Sequence, residues 1–458
     1  MIRKKKVESP PDGNMILASG VYLPTDKGRS ILVFGGTGSG KYYYYIEPNL
    51  MQCNTSFVVS DPGGDLYRRY EKFLEKKGYK VKSLNLNLPR MDKGNHYNPF
   101  RYIHCDEDIE CFVETLLSNT SPPEDFADKP GGREAEASLL KAVVAYLHDN
   151  TSQPEQNFTN IMKLLRACQP IEDTGNENAP LAMKLLRAYW GNVEPPEKKT
   201  ALDYIFDEVR SYAPDSYSIK QYDNFCAKAG NLRKKIVISC LTRLQVFDLW
   251  DVAELTKTDD IDFEAMGDEK TALFIITPTR ERTFHFLAAV IYTQLFDVIA
   301  KHRQKDKASI CTYLFLDASE MELLPNLENR IDKAKECGAT ITLFVHVPEI
   351  MEKYYQNDWR HISETYDVAL LFSPRESSTR DWFQKHAEFA LQKEAGAEKK
   401  RLFNLFNRKE NSTDACLEDI RSLPEDECLV AIKGIPVKKV PKYAAKNHPS
   451  WFMVRNGR

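Results

Sequence analysis

One short stretch constrains this chain more than any other. An apolar run at residues 31–34 leads into a glycine-rich segment at residues 35–40, and Lys41 follows. A strand, a glycine-rich loop, a lysine and a helix form the layout of a phosphate-binding P-loop, whose backbone N–H groups surround phosphate oxygens. The last position of that pattern should be Ser or Thr, and here it is Tyr42, the first of four consecutive tyrosines. The predicted phosphate-binding residues are Gly35, Gly36, Thr37, Gly38, Ser39, Gly40, Lys41 and Tyr42.

A P-loop ATPase also needs a hydroxyl that holds Mg²⁺, an Asp at the end of another strand, and a group that positions the attacking water. Asp317 closes the apolar stretch 313–316 and is the predicted metal-supporting and catalytic carboxylate, with Asp61 as a second acidic candidate. Ala318 follows Asp317 where a catalytic Glu is expected. Tyr42 carries its hydroxyl at the far end of a ring, too distant to replace Ser or Thr.

The order of apolar patterns predicts how the chain is divided. Strands alternate with helices over residues 30–105, which favours a parallel sheet with crossover helices. Residues 106–255 follow helical spacing, and strands return from about residue 256 to the end. We therefore predict an α/β fold with a discontinuous nucleotide-binding domain (30–105 and 256–458), an inserted all-α domain (106–255) and a polar lead-in (1–29). Pro48 predicts an early break or a kink in the helix after the loop.

Composition limits the partners and the compartment. The net charge of −3 excludes a polycation, so any DNA contact has to come from local basic patches. The candidate DNA contacts are Lys228, Arg233, Lys234, Lys235, Arg243, Lys399, Lys400 and Arg401. Scattered surface lysines are common, so an ordinary solvated surface is the favoured interpretation of these residues. Ten scattered cysteines without a CxxC pair suggest reduced thiols and a cytosolic chain. No secretory signal is present, and no apolar run approaches the ~20 residues that span a bilayer.

The sequence resembles the TraG-like type IV secretion coupling proteins, the DNA-translocating ATPases of conjugative elements. The resemblance covers nearly the whole chain and ends in the region 429–449. It rests on the loop at 35–41 and on Glu47-Pro48-Asn49-Leu50, Val58-Val59-Ser60-Asp61-Pro62, Gly78-Tyr79-Lys80-Val81, Tyr97-Asn98-Pro99-Phe100, Lys270-Thr271-Ala272-Leu273-Phe274 and Leu316-Asp317.

The resemblance implies a RecA-like P-loop domain with an all-α insert, binding ATP and Mg²⁺. It also implies hexamers with the ATP site between subunits, and partners in the type IV secretion machinery and the relaxase–DNA complex, with single-stranded DNA as a further ligand. Family members usually carry an N-terminal membrane segment, and we expect this chain to lack one, either as a naturally soluble variant or as a truncated one. It would then be cytoplasmic and would dock at the inner face of the cell membrane.

Several family catalytic positions carry other residues here. The Walker A Ser/Thr falls on Tyr42, the Walker B Glu on Ala318, a strand-ending glutamine on His346 and an arginine on Cys337. In the Asp-Pro-Lys-Gly-Glu motif, Lys and Glu become Gly63 and Asp65. One loss of ~10³ from a typical ~10 s⁻¹ leaves about 10⁻² s⁻¹. We therefore predict weak or absent hydrolysis and a recruiting or scaffolding role.

Two alternatives stay open at this stage. The first is a working DNA-translocating ATPase that uses substitute residues, with Glu320 as base and His346 as sensor. The second is an interaction protein with no conjugative role.

Overall fold

The computed structural model divides the chain into two compact units, residues 1–87 with 262–458 and residues 88–261. The structure describes residues 10–456 apart from residues 26, 92, 122–130, 169–198, 280, 306–309, 374, 393–412, 415–419, 421 and 434–436. The basic triplet at 399–401 and the charge-rich segment around it therefore lie outside the described residues.

The first unit is built on one large sheet. A separate amino-terminal hairpin consists of β1 (Asn14–Ala18) and β2 (Val21–Pro24). The strands of the large sheet are β3 (Arg29–Phe34), β4 (Ser56–Ser60), β5 (Lys80–Asn85), β6 (Thr271–Ile276), β7 (Thr312–Asp317), β8 (Thr340–Val345), β9 (Val368–Leu371), β10 (Thr413–Asp414), β11 (Glu427–Ile432) and β12 (Lys438–Pro441). The sheet order in the described chain is β10-β12-β11-β9-β3-β8-β7-β4-β6-β5. Strands β3 to β9 pair in parallel, and β9 to β12 pair antiparallel.

Helices cover this sheet and make up the second unit. In the first unit they are Glu47–Gln52, Asp65–Lys76, His285–Lys305, Leu327–Glu336, Pro348–Thr365, Ser377–Gln392 and Trp451–Asn456. In the second they are Asp106–Asn119, Gly132–Asn150, Phe158–Ala167, Ala201–Tyr212, Tyr217–Ala229, Arg233–Arg243 and Trp250–Leu255. Every residue of β3, β6, β7 and β8 is buried, as expected for parallel strands covered on both faces. The predicted α/β fold with a mostly parallel sheet is confirmed.

The lead-in is more ordered than predicted. Its residues 14–24 form an antiparallel hairpin, β1 and β2, joined through Gly20 with a φ of 78°. Ile16 is fully buried, and its N–H donates to Asn49 Oδ1 at 2.8 Å. The prediction of a polar lead-in was wrong for these residues, because the apolar side chains of the two short strands pack into the hydrophobic core of the first unit.

The boundary of the helical unit also differs from the prediction. The unit begins at Leu88 and ends at Ile261, rather than at residues 106 and 255. The Tyr97 N–H donates to the Leu255 carbonyl at 2.9 Å, and Asn98 Nδ2 donates to the Lys257 carbonyl at 3.2 Å. Hydrogen bonds to the backbone therefore tie the segments before and after the helices into the same unit.

Pro48 does not break the helix that follows the loop. Residues Tyr42–Ile46 form a π-helical turn, and an α-helix continues from Glu47 to Gln52. A proline clashes with the carbonyl four residues earlier in a regular α-helix, whereas a π turn bonds each residue to one five positions away. The wider turn therefore accommodates Pro48. The helix ends at Gln52, because the next residue, Cys53, has a left-handed φ of 51°.

Candidate phosphate-binding site

The glycine-rich loop follows β3, which lies between β9 and β8 in the sheet. Gly40 has a φ of 83°, a conformation that L side chains rarely adopt. A Cβ at Gly40 would also lie 2.5 Å from the ring of Tyr44, and one at Gly35 would lie 2.6 Å from Ser39 Oγ. The fold of the loop therefore depends on glycine at both positions.

Two buried polar atoms beside the loop have no hydrogen-bond partner among the described residues. They are Lys41 Nζ and Ser39 Oγ, and Lys41 as a whole is only 4% exposed. Burial lowers the Lys41 pKa, and the charge of Asp317 opposes that shift. Unsatisfied buried donors carry a large free-energy cost, which phosphate oxygens would remove. The residues present thus fit the phosphate groups of a nucleotide.

Asp317 faces this lysine from the end of β7. Its Oδ2 lies 3.7 Å from Lys41 Nζ and 3.3 Å from His346 Nε2. Its Oδ1 accepts from the N–H of Ser319 at 3.0 Å and from the Ser319 hydroxyl at 2.7 Å. Burial alone would raise the Asp317 pKa, but these hydrogen bonds and the lysine charge outweigh it, and the pKa is lowered. Asp317 therefore stays a carboxylate over the physiological pH range.

The neighbour of Asp317 contributes no proton acceptor. The Ala318 N–H donates to the Phe344 carbonyl at 3.0 Å, which joins the end of β7 to β8. Its side chain is a methyl group, so it offers no carboxylate to a water at this position.

Tyr42 lies among the acidic residues of the site. Burial raises its pKa well above the ordinary value, and Asp317, Asp61 and Glu320 raise it further. Its hydroxyl is therefore neutral, and it is separated from the backbone by the length of the ring. Mg²⁺ bound with a nucleotide usually takes one or two carboxylates and phosphate oxygens. The described residues contain no group of three or more His, Cys, Asp or Glu arranged for a metal, so Mg²⁺ at Asp317 remains a prediction.

The other three tyrosines of the run pack in different directions. Tyr45 is fully buried, and its hydroxyl lies 3.2 Å from Thr342 Oγ1. Tyr43 packs edge-on against Trp451 at 6.1 Å between ring centroids. Tyr44 covers Gly40 and therefore packs on the loop itself.

The structure brings His346 to Asp317 but places Cys337 elsewhere. Cys337 precedes β8, with its Sγ 3.5 Å from the Ala300 carbonyl, whereas His346 follows β8. A strand of six residues is about 20 Å long. A side chain at position 337 therefore cannot reach Asp317 within the same chain.

Two side chains near the site, those of Thr277 and His285, were not predicted from the sequence. Thr277 Oγ1 donates to Glu320 Oε2 at 2.6 Å, and His285 Nε2 lies 3.7 Å from the same oxygen. Thr277 directly follows β6. The carboxyl ends of parallel strands meet at one edge of a sheet, and this rule could have identified Thr277 as a candidate.

Asp61 has a structural role. Its Oδ1 accepts from the Leu66 N–H at 3.0 Å and its Oδ2 from the Tyr67 N–H at 2.8 Å. Both oxygens thus satisfy backbone groups in the first turn of helix Asp65–Lys76. Because both oxygens already accept backbone hydrogen bonds, this arrangement does not favour Asp61 as a second metal-binding carboxylate.

The charge of Asp61 predicts a pH dependence of stability. Burial raises its pKa from 3.8 to about 6, although the two N–H groups oppose the shift. The folded chain then holds a proton that the unfolded chain has lost, so this contribution to stability falls as pH rises from about 4 to 7. Relative to Asp61→Asn, the wild-type free energy of unfolding should fall by up to about 3 kcal/mol over that range. Urea titrations across pH measure it, with Asp12→Asn, an exposed carboxylate, as control. A difference that rises with pH contradicts it.

Among the candidate DNA contacts of the helical unit, Arg243 is ruled out by its burial. Arg243 is buried against Glu136, 3.0 Å between Nη2 and Oε2. Arg233 donates to Asp203 at 2.8 Å and to the Tyr222 hydroxyl at 2.7 Å. Both guanidinium groups hold helices together. Lys228 pairs with Glu134 at 3.1 Å, and Lys234 and Lys235 are not buried and remain candidates.

The sheet, the loop and the buried lysine–aspartate pair define a P-loop nucleotide-binding fold. Solved structures of RecA-like P-loop proteins share it, and the predicted fold class is confirmed. The family model described as "Type IV secretory system Conjugative DNA transfer" matches residues 2–444, and the chain belongs to that family. No curated protein sequence matches the chain. Among the described residues, no helix is both long and apolar enough to pass through a bilayer.

Three solved structures illustrate the likeness. The bacterial conjugative coupling protein TrwBdeltaN70 in complex with sulphate has a TM-score of 0.60 and 13% identity, covering 95% of this chain and 90% of that one. The plasmid coupling protein TrwB in complex with ADP and Mg²⁺ has a TM-score of 0.58 and 14% identity, with the same coverages. VirB4 of Thermoanaerobacter pseudethanolicus has a TM-score of 0.51 and 9% identity, covering 97% and 99%.

Proposed function

We propose that this chain is a type IV secretion coupling protein that binds nucleotide phosphates but hydrolyses ATP very slowly or not at all. It recruits or holds the relaxase–DNA complex at a conjugative secretion apparatus. One observation carries the proposal. A buried Lys41 ammonium, without a hydrogen-bond partner among the described residues, lies beside the loop, while Tyr42 and Ala318 occupy the positions where metal and water would be held.

The residues of this chain divide the work as follows. Lys41 Nζ and Ser39 Oγ bind phosphate oxygens together with the loop N–H groups. His346 and Ser319 orient the Asp317 carboxylate toward the lysine. A bound Mg²⁺ would supply charge neutralisation at the phosphates, with Asp317 as its protein ligand. Ala318 leaves the attacking water without a general base.

The magnitude of the loss supports slow turnover. General base catalysis contributes about 10²–10⁴ in rate, and a missing arginine about 10³–10⁵. Such losses do not multiply simply. Even one loss of ~10³ brings a typical ~10 s⁻¹ to roughly 10⁻² s⁻¹. The proposed function is therefore binding and assembly rather than ATP turnover.

The family supplies the proposed partners. These are the relaxase–DNA complex, the secretion machinery, single-stranded DNA, and other subunits of a homo- or hetero-hexamer with the nucleotide between them. The proposed location is the cytoplasm, at the inner face of the cell membrane. Affinity purification of the tagged chain from cells that carry the conjugative element should recover relaxase or secretion components. Recovery of neither, under conditions that capture a known coupling protein, contradicts this role.

A second candidate is an active DNA-translocating ATPase with Glu320 as the base. The supporting observation is that the Glu320 charge acts on both Lys41 and Tyr42, while Thr277 fixes its carboxylate. DNA-stimulated hydrolysis that Lys41→Ala and Glu320→Gln both abolish would favour this candidate over the first.

Nucleotide affinity should depend strongly on the lysine and weakly on the metal. Lys41→Met is expected to weaken ATP binding at least about tenfold, because a charge-assisted hydrogen bond to phosphate is lost. Mg²⁺ should change the wild-type Kd by less than about threefold, because the Ser/Thr hydroxyl that holds it is missing. Calorimetric titrations with and without Mg²⁺ measure both effects. Lys439→Met, a lysine on β12, is the control, and strong tightening by Mg²⁺ would contradict the proposal.

A further inference from the structure

A second lysine lies against the phosphate-binding loop. Lys442, which directly follows β12, is only 6% exposed. Its Nζ donates to the Ser39 carbonyl at 3.3 Å and to the Glu425 carbonyl at 2.7 Å. Through this hydrogen bond the carboxy-terminal segment contacts the loop directly, although residues 39 and 442 are far apart in sequence.

Two aromatic rings lie next to the same ammonium group. The Tyr44 and Phe372 ring centroids lie 5.3 Å and 5.1 Å from Lys442 Nζ. An ammonium has three donors, and a buried one is costly unless they are satisfied. Two carbonyl oxygens and the ring faces provide that satisfaction here. The Tyr44 ring also covers Gly40, so the lysine, the ring and the loop form one packed cluster.

The backbone of Lys442 is held on both sides. Its N–H donates to the Asp426 carbonyl at 2.7 Å, and its carbonyl accepts from the Ser19 hydroxyl at 3.2 Å. The ammonium therefore reaches the loop from a fixed base. A peptide group is planar and trans, so its C=O and the following N–H point in opposite directions. A Ser39 carbonyl held by Lys442 consequently directs the Gly40 N–H away from Lys442.

We propose that Lys442 is a positioning residue for the phosphate-binding loop: its ammonium holds the Ser39 carbonyl and so fixes the loop in the conformation that receives an anion. This inference rests on the proposed phosphate site and adds a residue outside the P-loop pattern to it. The inference also assigns a role to Tyr44, because its ring packs against both the Lys442 ammonium and Gly40 of the loop.

The test compares Lys442→Met, which keeps the apolar stem but loses the charge, with Lys442→Arg, which keeps charge and donors. Lys439→Met is the matched control, since Lys439 lies on β12 and its Nζ is 3.7 Å from Glu427. The full-length chains are studied by amide hydrogen exchange at residues 35–41 and by calorimetric titration with pyrophosphate. Far-UV circular dichroism checks folding. If Lys442→Met does not fold, Lys442→Gln is used in its place.

Lys442→Met should accelerate exchange of the loop amides at least about tenfold and weaken pyrophosphate binding by a similar factor. Lys442→Arg, which keeps the charge and the N–H donors, should lose clearly less than Lys442→Met in both measurements, and Lys439→Met should change neither. Loop exchange within about twofold of wild type in Lys442→Met overturns the inference. So does an equal effect from Lys439→Met. If the wild-type chain binds no pyrophosphate, the proposed phosphate site fails, while the exchange of the ligand-free loop still decides the role of Lys442.

Discussion

The double variant Tyr42→Thr/Ala318→Glu is expected to hydrolyse ATP at least about 100-fold faster than the wild-type chain. A threonine at position 42 would place a hydroxyl one bond from Cβ, within reach of a metal next to Asp317. A glutamate at position 318 would add a carboxylate beside that metal, where the methyl group of Ala318 now lies. Phosphate release with Mg²⁺ and single-stranded DNA measures the effect. The rate should stay below that of a complete enzyme, because the double variant restores only the hydroxyl and the carboxylate.

Three controls show whether the gain arises at the site. Each single variant should gain less than the double variant, because hydroxyl and carboxylate act on the same metal and water. Lys41→Ala in the double-variant background should return the rate to that of the wild type. A folded double variant that binds ATP as the wild type does, yet hydrolyses it no faster, would show that the two substitutions are not what limits turnover.

Arg243→Met is expected to destabilise the helical unit by about 3–5 kcal/mol. Arg243 also donates to the backbone carbonyls of Leu117 and Thr120. Its side chain therefore connects its own helix, Arg233–Arg243, with helix Gly132–Asn150 and with the end of helix Asp106–Asn119. Its removal leaves the Glu136 carboxylate, which is fully buried, without a positive partner. Native-state hydrogen exchange of the amides in helix Gly132–Asn150 measures the loss in the full chain.

The ion pair itself can be separated from the cost of an unpaired charge. Arg243→Met/Glu136→Met should lose much less than Arg243→Met alone, since no buried charge is left over. Arg166→Met removes a half-exposed partner of Asp248 and should cost no more than about 1 kcal/mol. Equal losses in the single and double variants would mean that packing, not charge, dominates at position 243.

The sequence predicted the buried internal strands of the sheet. Strands β6, β7 and β8 are mostly apolar, and such runs are distinctive because both faces of an internal parallel strand are covered. Asp317 and His346 stand at the carboxyl ends of β7 and β8, so their meeting at one edge follows from topology alone. The glycine-rich loop was predictable for a related reason, since its backbone requires a specific residue pattern.

Features that depend on distant partners were not predictable. Arg243 and Lys442 are ordinary basic residues in sequence, and only the fold brings Glu136 to one and the Ser39 carbonyl to the other. The amino-terminal hairpin was missed because its strands are short and follow a polar turn. Pro48 was misjudged because a π turn, which no local propensity signals, changes the register before it.

Steady-state ATP hydrolysis by the full wild-type chain, with Mg²⁺ and single-stranded DNA, tests the proposed loss of turnover most directly. We predict a turnover at or below about 10⁻² s⁻¹, unchanged by DNA, alongside measurable nucleotide binding that Lys41→Met weakens. DNA-stimulated, Mg²⁺-dependent turnover of roughly 10 s⁻¹ that disappears in Lys41→Ala would contradict it.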